Sequence, residues 1–489
     1  MKSSFRLLAC ALSVIALAVF AAGCAGGGGK GREASRPFSD SISYYYTGAD
    51  TSTRFICNST LLADKLGGEP EAFLTCDGTV GITRVGTGLY RVDKDGVLMI
   101  HPAGVNRALL SLDGNIIVFT TATEVHVYDH RTGQVQDIKP DGAASVKSIV
   151  LSPDGGTVGY TVRSADGSLT AYAYSDGASR RLSDNAYIIG VADGAAWWYY
   201  LTPDADVYYA ADGGQKRIGS DASTVFEFNR DLSEVTFDMN GVTYFSMGGR
   251  SAKRIAEGKS VFPTAGPCSS AQGGEDCTAY VRDCGSLFDA VFYSCRAAVD
   301  DELDRNVYDL WYVSGTGKVT ALARGAYQFA VQTDGNKLTC LVDSTLYRMD
   351  TDDPSTSKSV CTNVYTFAVS RDGSEIYCIG YDRKLYYIKD LGKPKELLSE
   401  AVHCLITDEG KCLCIADYDG TGTLYFADGE NDPVVVGREV YLAETKPAFC
   451  CYYSAPYGDD SGNRVFDLYS SADGHSFELL LKGVKLYND

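Results

Sequence analysis

Cysteines are the residues of this 489-residue chain whose number and spacing offer the most chemistry. The sequence holds 16 of them. In an exported chain, cysteines predict disulfides. Each disulfide contributes about 2–4 kcal/mol and can stabilise a segment that lacks a core of its own. The candidate disulfide residues are the pair Cys57 and Cys76, which flanks an irregular segment, the cluster Cys268, Cys277, Cys284 and Cys295, and the pair Cys404 and Cys414, which lie opposite each other if their hairpin turns at Glu409. Their connectivity stays open.

Several cysteines share one place in successive repeats of the chain. Cys340, Cys378 and Cys414 each follow their repeat's aspartate by six residues, and Cys451 holds the matching place after Thr445. We expect some of them to be buried thiols that act as small core residues. A zinc site is the alternative, but the nearby Cys-x-Cys and Cys-Cys pairs lack the usual Cys-x-x-Cys spacing, so we expect no zinc.

The residue types that serve as nucleophiles and general bases form no recognisable catalytic pattern. There are only five histidines, and the chain has no Gly-x-Ser-x-Gly elbow, no His-Glu-x-x-His and no phosphate-binding Gly-x-x-x-x-Gly-Lys. His126 and His130 are four residues apart, but in a strand and turn that spacing does not bring two side chains together. We therefore favour a binding role over catalysis, and leave open a glycosidase or lyase that works with Asp, Glu and Tyr.

Two short acidic segments could bind calcium through loop carboxylates. They are Asp417-Tyr-Asp419-Gly and Asp204-x-Asp206. The complete Asp-x-Asp-x-Asp-Gly spacing with a distant glutamate is absent, and turns between strands favour Asp and Gly in any case. We expect no cofactor, with calcium as the alternative. Tyr457, in a loop, is a candidate for stacking on a sugar.

The overall charge excludes one class of partner. The chain has 44 Lys and Arg against 63 Asp and Glu, a net charge of −19. A protein this acidic repels phosphate backbones, so we expect no nucleic-acid partner. The 52 glycines and 33 tyrosines, beside only 5 methionines, favour strands and tight turns.

A repeat of about forty residues organises most of the chain. A turn of Asp-Gly type between two apolar runs recurs eight times, and a second hairpin generally follows it. The turn aspartates are Asp113, Asp154, Asp193, Asp231, Asp283, Asp334, Asp372 and Asp408. Four strands in about forty residues are typical of a propeller blade. Because blades pack through both faces, their strands should be apolar on both sides, as in the aromatic run 197–200.

We predict an all-β fold, a β-propeller of four-stranded antiparallel blades. Eight blades are expected, and nine or ten are the alternatives, because a degenerate ninth turn lies near Thr445 and an earlier hairpin lies at 89–91. The propeller should span 41–489, with 41–75 as a closing strand or cap. One blade, at about 260–300, is enlarged by a Cys-rich insertion.

The segment Ile149–Ser183, with its Ser-Pro-Asp-Gly turn, resembles the WD-like propeller repeat of TolB-type periplasmic proteins and of prolyl-oligopeptidase-like enzymes. The resemblance is good over one repeat and loose over about 77–480. It implies a fold and leaves function open, since such propellers serve many roles. A turn at Ser471–Phe477 also resembles the Asp-box of sialidase-type blades, where it is structural.

The N-terminus resembles a bacterial lipoprotein signal peptide. Lys2 and Arg6 precede an apolar run over 7–20, and Ala-Ala-Gly leads directly to Cys24. In a lipobox, the cysteine is acylated and becomes the first residue after cleavage; the alternative is an ordinary secretory signal. We predict a signal peptide at 1–23, a lipid-anchored flexible tether at 24–40, and a location on the extracytoplasmic face of the bacterial membrane.

Together these patterns predict a lipid-anchored propeller that binds a protein or peptide, or acts as a scaffold of the cell envelope. The first candidate contact surface is the enlarged loop 266–300, although that loop could instead plug the central channel. The alternative function is a glycan-binding or glycan-active propeller, which should gather acidic and aromatic residues at the channel mouth.

Overall fold

The computed structural model describes most of the chain from residue 80 onward and short pieces before it. The described residues are 42–46, 53–57, 60–61, 66, 73–75, 80–93, 95–140, 142–255, 261–263, 268–274, 277–282, 285–296, 307–332, 335–407, 409–446, 449–458 and 464–484.

Almost every element is a strand, and the strands group into four-stranded antiparallel blades, as predicted. A small sheet precedes them, formed by β1 (Ile42–Tyr46), β2 (Thr53–Cys57) and β3 (Thr60–Leu61). Blade 1 comprises β4 (Phe73–Thr75), β5 (Gly81–Val85), β6 (Gly88–Asp93) and β7 (Gly96–His101). Blade 2 comprises β8 (Arg107–Leu110), β9 (Ile116–Thr120), β10 (Val125–Asp129) and β11 (Gln134–Ile138). Blade 3 comprises β12 (Ala143–Leu151), β13 (Val158–Ser164), β14 (Leu169–Ser175) and β15 (Ala178–Asp184).

The middle of the chain continues the pattern. Blade 4 comprises β16 (Tyr187–Val191), β17 (Trp197–Leu201), β18 (Val207–Ala211) and β19 (Gly214–Gly219). Blade 5 comprises β20 (Ala222–Phe228), β21 (Glu234–Met239), β22 (Val242–Met247) and β23 (Lys253–Arg254). Blade 6 comprises β24 (Val261–Pro263), β27 (Ala290–Arg296), β28 (Val307–Val313) and the first part of β29 (Val319–Val331); the hairpin of β25 (Cys268–Gly274) and β26 (Cys277–Arg282) is inserted within it.

The last four blades complete the described strands. Blade 7 comprises the second part of β29, β30 (Lys337–Val342), β31 (Thr345–Asp350) and β32 (Lys358–Thr362). Blade 8 comprises β33 (Val364–Val369), β34 (Glu375–Gly380), β35 (Leu385–Lys389) and β36 (Lys395–Leu398). Blade 9 comprises β37 (Ala401–Ile406), β38 (Cys412–Ala416), β39 (Gly422–Ala427) and the first part of β40 (Val434–Lys446). Blade 10 comprises the second part of β40, β41 (Phe449–Ser454), β43 (Arg464–Ser471) and β44 (Glu478–Val484), with β42 (Tyr457–Gly458) at one end.

Ten four-stranded blades can thus be traced in the described residues, the upper end of the predicted range. Eight blades were expected because known propellers usually have about four to eight. In the structure, one blade corresponds to each of the eight Asp turns, one to the turn near Thr445 and one to the hairpin at 89–91. Two boundaries are also blurred, because β29 and β40 each run from the outer edge of one blade into the inner edge of the next. In β29, Gly325 permits the bend with a φ of +72°.

Apolar clusters between successive blades hold the described part of the fold together. In the second strands of blades 2 and 9, β9 and β38, every residue is buried, which confirms burial on both faces. The predicted aromatic run shows the same: Trp198 and Tyr200 pack towards blade 3, while Tyr199 packs towards blade 5. Full burial of each such side chain contributes about 1.5–3 kcal/mol.

The Asp-Gly turns between the first two strands of a blade are held by one recurrent set of hydrogen bonds. In blade 3, the Ser152 hydroxyl donates to Asp154 Oδ1 (2.6 Å), which also accepts from Gly156 N (2.8 Å). Thr157 N then donates to Ser152 Oγ (2.8 Å). Blades 2 and 8 repeat the Ser–Asp pair at their first turns. The Asp-box-like turn at Ser471 and Asp473 has the same pair, but it lies between the third and fourth strands of blade 10. These carboxylates hold their turns, and for Asp473 this is the structural role that the resemblance to the Asp-box implied.

The hairpin β25–β26 lies against the inner strands of the blades. Its first strand pairs with β12 of blade 3 and its second strand pairs in parallel with β20 of blade 5, so that the hairpin bridges two blades that are not neighbours. It also approaches β4, β8 and β16, which, with β12 and β20, are the first strands of their blades. This placement favours the plug over an outward contact surface for the 268–282 part of the enlarged loop.

Candidate functional site

A cleft of about 600 Å³ opens between blades 3 and 4 and is the candidate binding site. Its lining comes from the outermost strand of blade 3 and the three outer strands of blade 4. The lining residues are Arg181, Leu182, Ser183, Asp184, Asn185, Tyr200, Thr202, Tyr208 and Gln215. The cleft therefore lies at the rim between two blades and not at the channel mouth, where the glycan hypothesis had placed a site.

The fold positions one wall of the cleft through cross-strand pairing of two tyrosines. Tyr200 on β17 lies directly opposite Tyr208 on β18, and their rings stack with centroids 5.0 Å apart and planes inclined by 3°. Aromatic pairs of this kind add about 0.5–1.5 kcal/mol beyond the area they bury. Tyr200 is buried and Tyr208 half-buried. The pair forms a rigid aromatic wall with one partly accessible ring.

Hydrogen bonds hold the polar side chains of that wall in place. The Tyr200 hydroxyl donates to Gln215 Oε1 (2.6 Å), which leaves the Gln215 amide nitrogen to donate elsewhere. Trp198 Nε1 donates to Ser183 Oγ across the blade interface (3.3 Å). Burial raises the pKa of Tyr200 to about 12, so this phenol stays neutral at physiological pH.

The opposite wall carries charge and exposed polar groups. Arg181 and Asp184 form an ion pair on β15, and the hydrogen bond to Asp184 raises the pKa of Arg181 further. Asn185 follows at once, with a φ of +49° that turns the chain out of the strand. Guanidinium, carboxylate, amide and hydroxyl groups together offer many donors and acceptors for a hydroxyl-rich ligand.

Most of the predicted site residues lie outside what the structure describes. This group contains the lipidation residue Cys24, the disulfide candidates Cys76 and Cys284, and the side chains of Cys57, Cys268, Cys277 and Cys295. The predicted domain limits at 23 and 40 lie there too.

Cys404 and Cys414 are the predicted pair that the structure describes. They are direct cross-strand partners on β37 and β38, and both thiols are buried. The hairpin therefore has the register on which the prediction depended. The structure holds both as free thiols, so the bond itself stays a proposal.

The repeat cysteines behave as predicted. Cys340, Cys378, Cys414 and Cys451 are all buried, and each belongs to an apolar cluster at or within a blade. For Cys340, burial raises the thiol pKa to about 12, so the group stays protonated and unreactive.

The calcium candidates lie in turns. Asp206 faces Arg217 at 3.4 Å, and Asp417 and Asp419 lie in the turn between β38 and β39. Within the described ranges, no group of three or more His, Cys, Asp or Glu side chains is arranged to hold a metal ion. Nor do those ranges contain a helix long and apolar enough to span a membrane. Tyr457, the candidate for sugar stacking, is exposed and donates to Asp467 Oδ1 (2.6 Å).

The sequence did not predict the group of polar side chains around His126. His126 on β10 lies opposite Asp137 on β11; its Nδ1–H donates to Asp137 Oδ1 (2.7 Å), and its Nε2 lies 3.3 Å from Thr121 Oγ1. The ring stacks on Phe119, with centroids 4.7 Å apart. Spacing along the chain could not reveal this arrangement, because the cross-strand register creates it.

Comparisons with known proteins identify no family. No protein-family model matches the chain, and no curated protein matches it significantly. Among solved structures, a eukaryotic initiation factor is similar over 84% of this chain and 97% of its own, at 10% identity and a TM-score of 0.39. The extracellular domain of a putative one-component system from B. thetaiotaomicron is similar over 92% and 78%, at 9% identity and a TM-score of 0.31. A putative TolB from Agrobacterium tumefaciens is similar over 47% and 87%, at 14% identity and a TM-score of 0.28.

Proposed function

We propose that this chain is a binding protein of the bacterial cell envelope, exported and anchored through a lipid on Cys24, and that it takes an oligosaccharide in the cleft between blades 3 and 4. The observation that carries the ligand class is the cleft's lining, in which a stacked tyrosine wall faces a set of planar polar side chains. Binding pockets for drug-like molecules are mostly apolar. A cleft this polar suits a ligand with many hydroxyl groups.

The same lining favours binding over cleavage. Glycoside hydrolysis uses a pair of carboxyl groups on either side of the scissile bond. The described residues that line the cleft supply one, Asp184, and that carboxylate is held in an ion pair with Arg181. With Tyr200 kept neutral, the cleft offers fixed donors and acceptors and an aromatic face.

Binding of defined oligosaccharides on a glycan array tests this proposal. We expect the purified protein to bind at least one of them, and Tyr208→Ala to weaken that binding about tenfold or more, because a lost stacking contact of about 1.4 kcal/mol corresponds to that factor. Tyr381→Ala is the matched control, since Tyr381 is an exposed tyrosine of blade 8. It should leave the affinity unchanged.

A protein or peptide partner is the second candidate function, and exposed apolar side chains on outermost strands favour it. Leu98 and Met99 on β7 are 45% and 56% exposed, and Val434 and Val435 on β40 are also exposed. Outermost strands present free backbone groups to an incoming strand. Crosslinking on intact cells distinguishes the two functions. If one protein is captured in stoichiometric amount through β7 or β40, and no glycan is bound on the array, the ligand is a protein and not an oligosaccharide.

A further inference from the structure

Two cysteines from successive blades meet in the apolar interface between blades 7 and 8. Cys378 lies on β34, the second strand of blade 8, and is fully buried in the cluster that also holds Leu346 of blade 7. Cys361 lies on β32, the outermost strand of blade 7, opposite Leu346, and packs against the same cluster. The interface therefore brings together two thiols that belong to different sheets.

The two thiols differ in exposure and in acidity. Cys361 is half-buried, and its interaction with the neighbouring Cys378 thiol lowers the pKa of Cys361 to about 7. The same interaction, together with burial, raises the pKa of Cys378. The accessible sulfur is thus the one that is partly thiolate at neutral pH, and thiolates are the nucleophiles of disulfide exchange.

We propose that Cys361 and Cys378 are a redox site that closes to a disulfide between blades 7 and 8 when the protein meets a disulfide oxidant. The Cys361 thiolate attacks one sulfur of the donor disulfide, forms a mixed disulfide and releases the first donor thiol. The Cys378 sulfur then attacks Cys361 Sγ and displaces the second donor thiol. The protein loses two electrons and two protons, and the donor disulfide is reduced to two thiols.

The location of the pair gives the bond a structural consequence. Blades 7 and 8 join through one short connection after β32, and the disulfide would add a covalent link across their packed faces. The disulfide would close the loop that runs from Cys361 to Cys378, and closing it would substantially restrict the conformations of the unfolded chain. The proposal relies on the proposed export only for the source of the oxidant, so the pair itself can be tested on purified protein.

The test uses the purified full-length protein, reduced with dithiothreitol, desalted and incubated with oxidised glutathione. After alkylation under denaturing conditions, trypsin places Cys361 in the peptide 359–371 and Cys378 in the peptide 372–383. We expect mass spectrometry to find these two peptides joined, while Cys340 is alkylated. Recovery of both cysteines in alkylated form, or of Cys361 joined only to glutathione, would overturn the proposal.

A thermal measurement supplies a second readout. Reduction should lower the Tm of the oxidised protein by about 3 °C. Cys361→Ser should abolish this difference, and the matched control Cys340→Ala, which removes a buried thiol from the preceding interface, should retain it. The same peptides can be analysed in protein isolated from cells under alkylating conditions. If the disulfide forms in the purified protein but is absent from the protein isolated from cells, the redox site is supported and the proposed export is contradicted.

Discussion

At the scale of single residues, the turn carboxylates show how one side chain can organise a local backbone. Asp372 accepts hydrogen bonds from the Ser370 and Ser374 hydroxyls and from Ser374 N. The bond from Ser370 contributes most to lowering its pKa below the usual value. A carboxyl whose pKa is lower in the folded state stabilises the fold above its unfolded pKa, and this contribution is lost as the pH falls through the folded pKa.

Ser370→Ala should therefore destabilise the protein by about 1 kcal/mol at neutral pH, because it removes a hydrogen bond to Asp372 and the one that Ser370 Oγ accepts from Glu375 N (3.0 Å). Urea unfolding at a series of pH values measures the loss. The part that depends on Asp372 should shrink as the pH falls below about 4, the unfolded pKa of an aspartate, and should vanish once the pH is below the lower folded pKa. Ser399→Ala, at an exposed serine after blade 8, is the control. An equal loss in both variants would contradict the role of the turn.

At the scale of elements, the first turn of a blade also packs against the blade before it. Gly155 in the blade 3 turn has a φ of +74°, and a side chain there would meet Ile116 of blade 2 at 3.1 Å. Gly167, in the next turn of the same blade, has a φ of +87° but open space around it. Both glycines are required by their backbone conformation, and only the first is also required by packing between blades.

Gly155→Ala should consequently lower the free energy of unfolding more than Gly167→Ala does. Both variants carry the strain of a left-handed residue, about 1 kcal/mol, and Gly155→Ala adds a steric term of about 1–3 kcal/mol. Denaturant unfolding of the two variants, which differ only in this contact, measures the second term directly. Equal losses would show that the turn does not depend on its contact with blade 2.

At the scale of the whole molecule, ten blades and an inserted hairpin form one continuous set of interfaces in the described residues. The hairpin β25–β26 joins the inner strands of blades 3 and 5, which places the Cys-rich insertion inside the fold. The cleft between blades 3 and 4 and the exposed apolar residues of β7 and β40 are surfaces open to a partner. The lipid anchor proposed at Cys24 would hold the protein at the membrane and present that rim to ligands of the envelope.

The anchor itself can be tested on the whole protein in cells. We expect growth with a labelled fatty acid to label the wild-type protein, and Cys24→Ala to abolish the label, because the lipid is attached through that thiol. Cys10→Ala, within the predicted apolar run of the signal peptide, should keep the label. A wild-type protein that carries no label would contradict the lipid anchor and favour an ordinary secretory signal.

The local features of this protein could be predicted from its sequence. Apolar runs separated by Asp-Gly turns predicted the four-stranded blades. The shared place of Cys340, Cys378, Cys414 and Cys451, six residues after the turn residue, predicted that some of these thiols are buried. Hairpin register follows from turn length, so that the cross-strand placement of Cys404 and Cys414 was also predictable. Each of these features depends on contacts between residues close in the chain.

The tertiary structure alone decided what lies between blades. The cleft brings together Arg181 and Gln215, the redox pair brings together Cys361 and Cys378, and the hairpin β25–β26 bridges blades 3 and 5. None of these follows from periodicity, because a strand buried on both faces reveals that it packs on its neighbours but not which of their residues it meets. The tertiary structure also decided the blade number. The repeat marked the position of each blade, but only the assembled strands showed that the degenerate turn near Thr445 and the hairpin at 89–91 belong to complete blades.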